Sequence, residues 1–263
     1  MGSEQEACQA YVARRVISLM DATDLSADST EHTVTLLCRD SLGLPPTAAV
    51  CVWPRFVRFI KKDLTAQLPE VACLPVATVL NFPSGKSSIE TVKNEALQAV
   101  SDGADELDLV VDWELLNQDV DAGERALRSL VAAVREVSGA TVLKVILETG
   151  MLRNDNPNLI FRASIAALES GADVLKTSTG KVPVNATLPA VTQMCLAIKE
   201  YKASHRDERL PGIKVAGGVK SVDMAAQYLS LVTDILGADY ITKKTFRIGA
   251  SSLLGAARKF VGR

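Results

Sequence analysis

Val174-Leu175-Lys176-Thr177-Ser178-Thr179-Gly180-Lys181 places a lysine inside a run that otherwise reads as a buried strand. Ahead of it, Ala163 to Gly171 has the spacing of an amphipathic helix closed by glycine. After it, Val182 to Ala186 leads into a further helix. Asp173 to Thr179 is therefore expected to be a parallel-type strand between two helices. Alternate residues of a strand share a face, so Lys176 and Ser178 point one way and Leu175 and Thr177 the other, as packing residues. An ammonium on such a face either snorkels to water from an edge or is buried for a reason.

Gly212-Ile213-Lys214-Val215-Ala216-Gly217-Gly218 repeats the design: a short strand with a lysine in it, then glycines where the strand ends. Two consecutive strands with inward lysines set two ammonium groups side by side. At roughly 5 Å and an effective dielectric of about 20 their repulsion is about 3 kcal/mol, or roughly two pKa units. One amine is then partly neutral near pH 7, as attack on a carbonyl requires. Strand parity alone does not say which lysine is the nucleophile.

Outward from these two strands the chain repeats strand, loop and helix. A leading helix over Glu4 to Leu19, expected to plug one barrel end, precedes the strand Met20 to Leu25. A helix from Ser29 to Asp40, the strand Ala48 to Trp53 and a helix from Phe56 to Leu68 follow. Then come the strand Val71 to Leu80, the helix Ser88 to Ser101, the strand Glu106 to Asp112, the helix Ala122 to Ser138 and the strand Thr141 to Glu148. A helix starting near Asn156, with Pro157 in its first turn, delivers the chain to the Lys176 strand. Ala186 to Ser204 is the next helix, and the polar link His205 to Arg209 leads to the Lys214 strand. Ser221 to Leu236, a strand over Lys244 to Gly249 and Ser251 to Phe260 close the series. Eight strands, each followed by a helix, fit a single (β/α)8 TIM barrel over 1–263 with an extra N-terminal helix better than a doubly wound sheet.

Parity places Asp21, Asp108, Lys144, Lys176 and Lys214 in one lumen, with Glu106, Asp112 and Glu148 on lumen-facing positions of their strands. Two loops have the makings of a phosphate site: Gly217-Gly218 after strand seven and Gly249-Ala250-Ser251-Ser252 where strand eight turns into a helix. Glycines let backbone N–H groups approach an anion, and a helix N-terminus adds its dipole. Thr179-Gly180-Lys181 and Lys220 add cations.

The 263 residues carry a formal charge of −2 and 48% hydrophobic residues, enough for a sizeable core, with no basic run suited to nucleic acid. No apolar run approaches the ~20 residues of a membrane span. Cys8, Cys38, Cys51, Cys73 and Cys195 are scattered without metal-ligand spacing and read as reduced thiols, and the acidic start Met1 to Glu6 has no secretory pattern, so the expected address is the cytoplasm. His32 and His205 sit in polar surroundings and are expected to be solvated.

Lys176-Thr177-Ser178-Thr179-Gly180-Lys181, Lys214-Val215-Ala216-Gly217-Gly218, Gly249-Ala250-Ser251-Ser252 and Asp21-Ala22-Thr23-Asp24-Leu25 together resemble the deoxyribose-phosphate aldolases, class I aldolases built on a TIM barrel. The resemblance covers nearly the whole chain. It implies that Lys176 is the Schiff-base lysine, Lys214 the neighbour that holds its pKa down, Asp108 the carboxylate that relays protons, and Lys144 a partner hydrogen-bonded within the group. It also turns Asp21 and Thr23 toward the substrate, so that the expected substrate contacts are those two, the loop residues Thr179, Gly180, Lys181, Gly217, Gly218, Gly249, Ser251 and Ser252, and Cys51 as a packed thiol facing the lumen. Neither a metal nor an organic cofactor is required, the ligand is a phosphorylated sugar, and a homodimer is expected. Val215 and Ile213 stand where proline and phenylalanine are common in that family, Lys220 where arginine is frequent, and the tail to Arg263 lacks a tyrosine that some members carry. Two alternatives stay open: an aldolase or transaldolase acting on another sugar phosphate, and a barrel retained as a protein-binding scaffold.

Overall fold

The computed structural model describes residues 2–153, 156, 158–205 and 210–261, with side chains from residue 6 onward. Its elements in chain order are α1 (Gly2–Ser18), β1 (Met20–Asp24), α2 (Glu31–Ser41), β2 (Ala49–Val52), α3 (Thr65–Gln67), β3 (Val76–Leu80), α4 (Ile89–Ser101), β4 (Glu106–Val110), α5 (Trp113–Gln118), α6 (Val120–Ser138), β5 (Val142–Ile146), α7 (Leu159–Glu169), β6 (Val174–Lys176), α8 (Leu188–Ser204), β7 (Gly212–Ala216), α9 (Val222–Leu236), β8 (Phe246–Ala250) and α10 (Leu253–Val261). The eight strands pair in sequence order, all parallel, and β8 closes on β1. The fold is the expected (β/α)8 barrel.

Alternation along each strand sorts the residues into two environments. Leu107, Leu109, Leu143, Val145, Leu175, Ile213, Val215, Phe246 and Ile248 point outward into one continuous apolar layer beneath the helices. The inward set is small or charged: Cys51, Ala77 and Val79 form a separate apolar patch with Leu25, and Asp108 is in register with Lys144 and Lys176 with Lys214. The helices begin where side chains cap them. Thr30, Ser88, Asp112, Asp119, Thr187 and Ser221 each accept a first-turn backbone N–H.

Several expected boundaries are corrected. The helix read over Phe56 to Leu68 is broken into a 3-10 turn, a π-helical segment over Phe59–Leu64 and the one-turn α3. Val71 to Cys73 belong to a 3-10 turn opened by Pro69, so β3 starts at Val76. Asp112 is not a lumen residue but the cap of α5, a helix the sequence reading left out. The helix expected from near Asn156 starts at Leu159, and Pro157, Arg206 to Arg209 and the terminal Gly262 and Arg263 lie outside the described residues. α1 packs against α9 and α10 of the outer ring rather than plugging a barrel mouth. Thr177 is more than a packing residue: its hydroxyl accepts the Ala216 N–H at 3.0 Å and donates to the Ala216 carbonyl at 3.1 Å, tying β6 to β7.

Candidate active site

At the centre of the lumen one carboxylate holds three amines. Asp108 Oδ1 accepts from Lys144 Nζ at 2.5 Å, and Oδ2 accepts from Lys176 Nζ at 2.7 Å and Lys214 Nζ at 2.8 Å. Lys214 also pairs with Asp21 Oδ2 at 2.6 Å, and Lys144 with Glu106 Oε2 at 2.7 Å. Below them Arg247 spans the two remaining acids, giving Nη1 to Asp21 Oδ1 at 2.5 Å and Nη2 to Glu106 Oε1 at 2.8 Å. Asp108, Lys214, Asp21, Arg247, Glu106 and Lys144 thus close into a ring whose charges alternate in sign and cancel. Lys176 hangs from Asp108 as a seventh group, and its amine is the surplus cation.

Parity left open which lysine is the nucleophile, and the partners separate them. Among the described residues, Lys144 and Lys214 each touch two or more carboxylates, whereas Lys176 touches Asp108 alone. Burial works against the charge on Lys214, but Asp108 and Asp21 more than offset it and hold the pKa well above the ordinary lysine value. Burial likewise opposes Lys144, and Asp108 and Glu106 raise it. For Lys176 the balance tips the other way: burial lowers its pKa, the Lys214 charge adds to that, and Asp108 offsets only part. The expected direction is therefore present, with burial ahead of Lys214 as its cause. Asp108 is buried too, yet the three lysines keep it well below the carboxylate range. Asp21 is lowered in the same way by Lys214, Arg247 and Lys144 against its burial.

Above Lys176 lies a cavity of about 370 Å³ at the C-terminal ends of the strands. Thr23, Lys176, Thr179, Gly180, Lys181, Gly217, Gly218, Lys220, Gly249, Ser251 and Ser252 all line it, so the expected loops converge on one space. Gly217 and Gly218 have φ of +82° and +78°, and a Cβ on Gly217 would lie 2.4 Å from Asn185 Oδ1, so glycine is required there. Ser251 and Ser252 are exposed just ahead of α10. Lys181 is anchored by its own amine, which donates to the Leu25 carbonyl at 2.8 Å.

Two expected substrate contacts are not on the cavity wall. Asp21 is fully buried in the ring beneath, its carboxylate taken up by Lys214 and Arg247. Cys51 is in the lumen but below the wall, its Sγ 4.0 Å from Asp108 Oδ2, and burial with the Asp108 charge raises the thiol pKa. Asp108, Lys144 and Lys214 are likewise under the floor, where only Lys176 of the group comes through.

Arg247 and Glu148 went unread as site residues. Arg247 had a signal, since Phe246 and Ile248 on either side are outward core residues and parity turns it inward. Glu148 had only its lumen-facing position. It stands past the end of β5 in the left-handed region, φ +51°, fully buried, and accepts the backbone N–H and the hydroxyl of Thr179 at 3.1 and 2.5 Å. Burial raises its pKa against those two hydrogen bonds and the Lys176 charge.

Among solved structures, the chain is similar to one from Toxoplasma gondii ME49 provisionally described as a deoxyribose-phosphate aldolase, with 33% identity over 98% of this chain and 97% of that one and a TM-score of 0.93. A structure described as QR15, an aldolase, matches at 28% identity over 94% and 96% with a TM-score of 0.74. The tetrameric deoxyribose phosphate aldolase of Aeropyrum pernix, 24% identical over 98% and 95% with a TM-score of 0.71, shares the fold. The family model for DeoC/LacD family aldolases matches residues 15–256, nearly the whole barrel with every residue of the lysine cluster inside it, and the chain belongs to that family of aldolases.

Proposed function

We propose that this aldolase is a class I, Schiff-base enzyme that reversibly cleaves 2-deoxy-D-ribose 5-phosphate to D-glyceraldehyde 3-phosphate and acetaldehyde. The observation that carries the reading is a buried lysine with a lowered pKa in the floor of a cavity whose rim holds two glycine loops suited to a phosphate.

The neutral Lys176 amine attacks the aldehyde carbon of the open-chain sugar to give a carbinolamine, which loses water to become an iminium. The C3 hydroxyl then gives up its proton and the C2–C3 bond breaks. Its electron pair moves into the iminium, leaving glyceraldehyde phosphate and an enamine. Protonation of the enamine carbon and hydrolysis release acetaldehyde and return the amine.

The iminium nitrogen carries the positive charge that the neutral amine lacked, and Asp108, within 2.7 Å of Nζ, is already oriented to stabilise it. Once Lys176 has lost its proton, Asp108 has one cation fewer and is more basic, which suits it to pass protons to and from the substrate. Lys144 and Lys214 keep it in place. The N–H groups of the Gly217-Gly218 turn, the start of α10 and the Lys220 and Lys181 ammonium groups would receive the phosphate. From the family resemblance the reading extends to a cytoplasmic homodimer in deoxyribose phosphate catabolism, which light scattering tests as regards the dimer.

The test is borohydride reduction in the presence of acetaldehyde, followed by peptide mapping. A two-carbon adduct on Lys176 is expected, with no adduct from dihydroxyacetone phosphate. An adduct on another lysine overturns the assignment, and none at all favours the scaffold alternative.

A further inference from the structure

Arg247 lines no part of the cavity, yet both arms of the charge ring start on it. One arm runs through Asp21 and Lys214 to Asp108, the other through Glu106 and Lys144 to Asp108. Without Arg247 the three carboxylates would be matched by the three lysines, and Lys176 would have a counter-charge of its own. A guanidinium suits the position because its planar fork reaches both acids and stays charged at any working pH. We propose that Arg247 is a positioning residue for Lys176: by closing the neutral ring it uses up the last carboxylate, so that the cation left over is the one amine that faces the cavity.

The charged and titratable groups around Lys176 fit this division. Asp108 faces it from β4, Lys214 from β7, Lys144 from β5 through their shared Asp108, the Cys51 thiol from β2 and Glu148 from the turn after β5. Lys181 and Lys220 stand at the cavity rim. Cys51 is held as a neutral thiol, and Glu148 feels the Lys176 charge but bonds Thr179 rather than the amine, so neither is paired with Lys176. Glu106 and Asp21 are reached by Lys176 only through the ring.

The inference rests on Lys176 being the reactive amine, but its electrostatic content needs no aldol chemistry and is tested without it. Wild type, Arg247→Met, Arg247→Lys and Glu106→Gln are acylated by limiting acetic anhydride over a range of pH, and modification of Lys176 is read by peptide mass spectrometry. A full charge roughly 10 Å away at an effective dielectric of about 20 shifts the midpoint by about one pH unit. Arg247→Met should raise it by about that much, with about tenfold less labelling on the acid side. Glu106→Gln should lower it by a similar amount, and Arg247→Lys should leave it near wild type.

Opposite signs are the signature, since a loss of packing would move both variants the same way. Midpoints that stay put, or that move together, overturn the proposal. If Arg247→Met does not fold, Glu106→Gln decides alone, and its midpoint must fall. Borohydride trapping of the wild type is scored separately: no acetaldehyde adduct alongside the predicted midpoint shifts would end the aldolase reading and leave the charge ring standing.

Discussion

Replacing Lys214 by methionine removes a cation without emptying the space it fills. The Lys214 and Lys176 nitrogens both bond Asp108 Oδ2, at 2.8 and 2.7 Å, so they lie no more than 5.5 Å apart. Across that span, at an effective dielectric of about 20, the repulsion is about 3 kcal/mol. Its loss raises the basicity of Lys176 by about two pH units, and the variant's freer Asp108 pulls in the same direction. Lys214 itself stays protonated throughout, because Asp108 and Asp21 hold its pKa up, so the wild-type repulsion is present at every pH of the assay. Attack needs the neutral amine, so the rate of acetaldehyde trapping falls on the acid side. The initial rate should drop about 100-fold near pH 7 in Lys214→Met. Its acid limb should move up about two units and the alkaline plateau approach wild type, while Lys214→Arg should keep the limb near its original place. A uniform loss at all pH values, with the limb unmoved, would refute the electrostatic role and make Lys214 a direct participant.

Gly217→Ala forces a side chain into the left-handed region and against Asn185, at a cost of about 1–3 kcal/mol. KM for deoxyribose 5-phosphate should rise about tenfold or more, with little change for unphosphorylated deoxyribose. The carboxylates predict acid sensitivity: Asp21 and Asp108 are held below the unfolded value of about 3.9, so the stability they contribute is full above that value and lost as pH falls through and below it. Tm measured from pH 6 down to 3 should decline, and Asp108→Asn should flatten that decline while lowering Tm at neutral pH. Truncating the outward, fully buried Leu107 to alanine should cost about 2–5 kcal/mol in chemical denaturation and leave the trapping midpoint unchanged.

The barrel was legible because its strands alternate cleanly. Leu107-Asp108-Leu109 and Ile213-Lys214-Val215 each set a charge between two core residues, and period-two geometry turns such a charge inward. The loops at the cavity rim were legible because their glycines leave a mark in the sequence, Gly217 and Gly218 at positive φ. What parity could not supply was the pairing. Three inward lysines look alike until the partners of each are known, and only the closed sheet brings Asp21, Glu106 and Arg247 from β1, β4 and β8 into contact. Glu148 was legible as a lumen-facing acid but its partner was not: its backbone leaves the strand at a left-handed residue, a turn that glutamate seldom makes, and its carboxylate meets Thr179. Helical spacing over Phe56 to Leu68 was real but did not disclose the π-helical segment, because an added residue per turn barely disturbs an apolar pattern.

Protonation of Lys176, the surplus cation of the lumen, can be followed directly by carbon NMR of the folded protein labelled at the lysine Cε positions, over a full pH titration. One resonance, absent from Lys176→Met, should titrate below the ordinary lysine value of about 10.4, while those of Lys144 and Lys214 stay protonated beyond it. A Lys176 resonance that titrates at or above the ordinary value would contradict its place as the surplus cation.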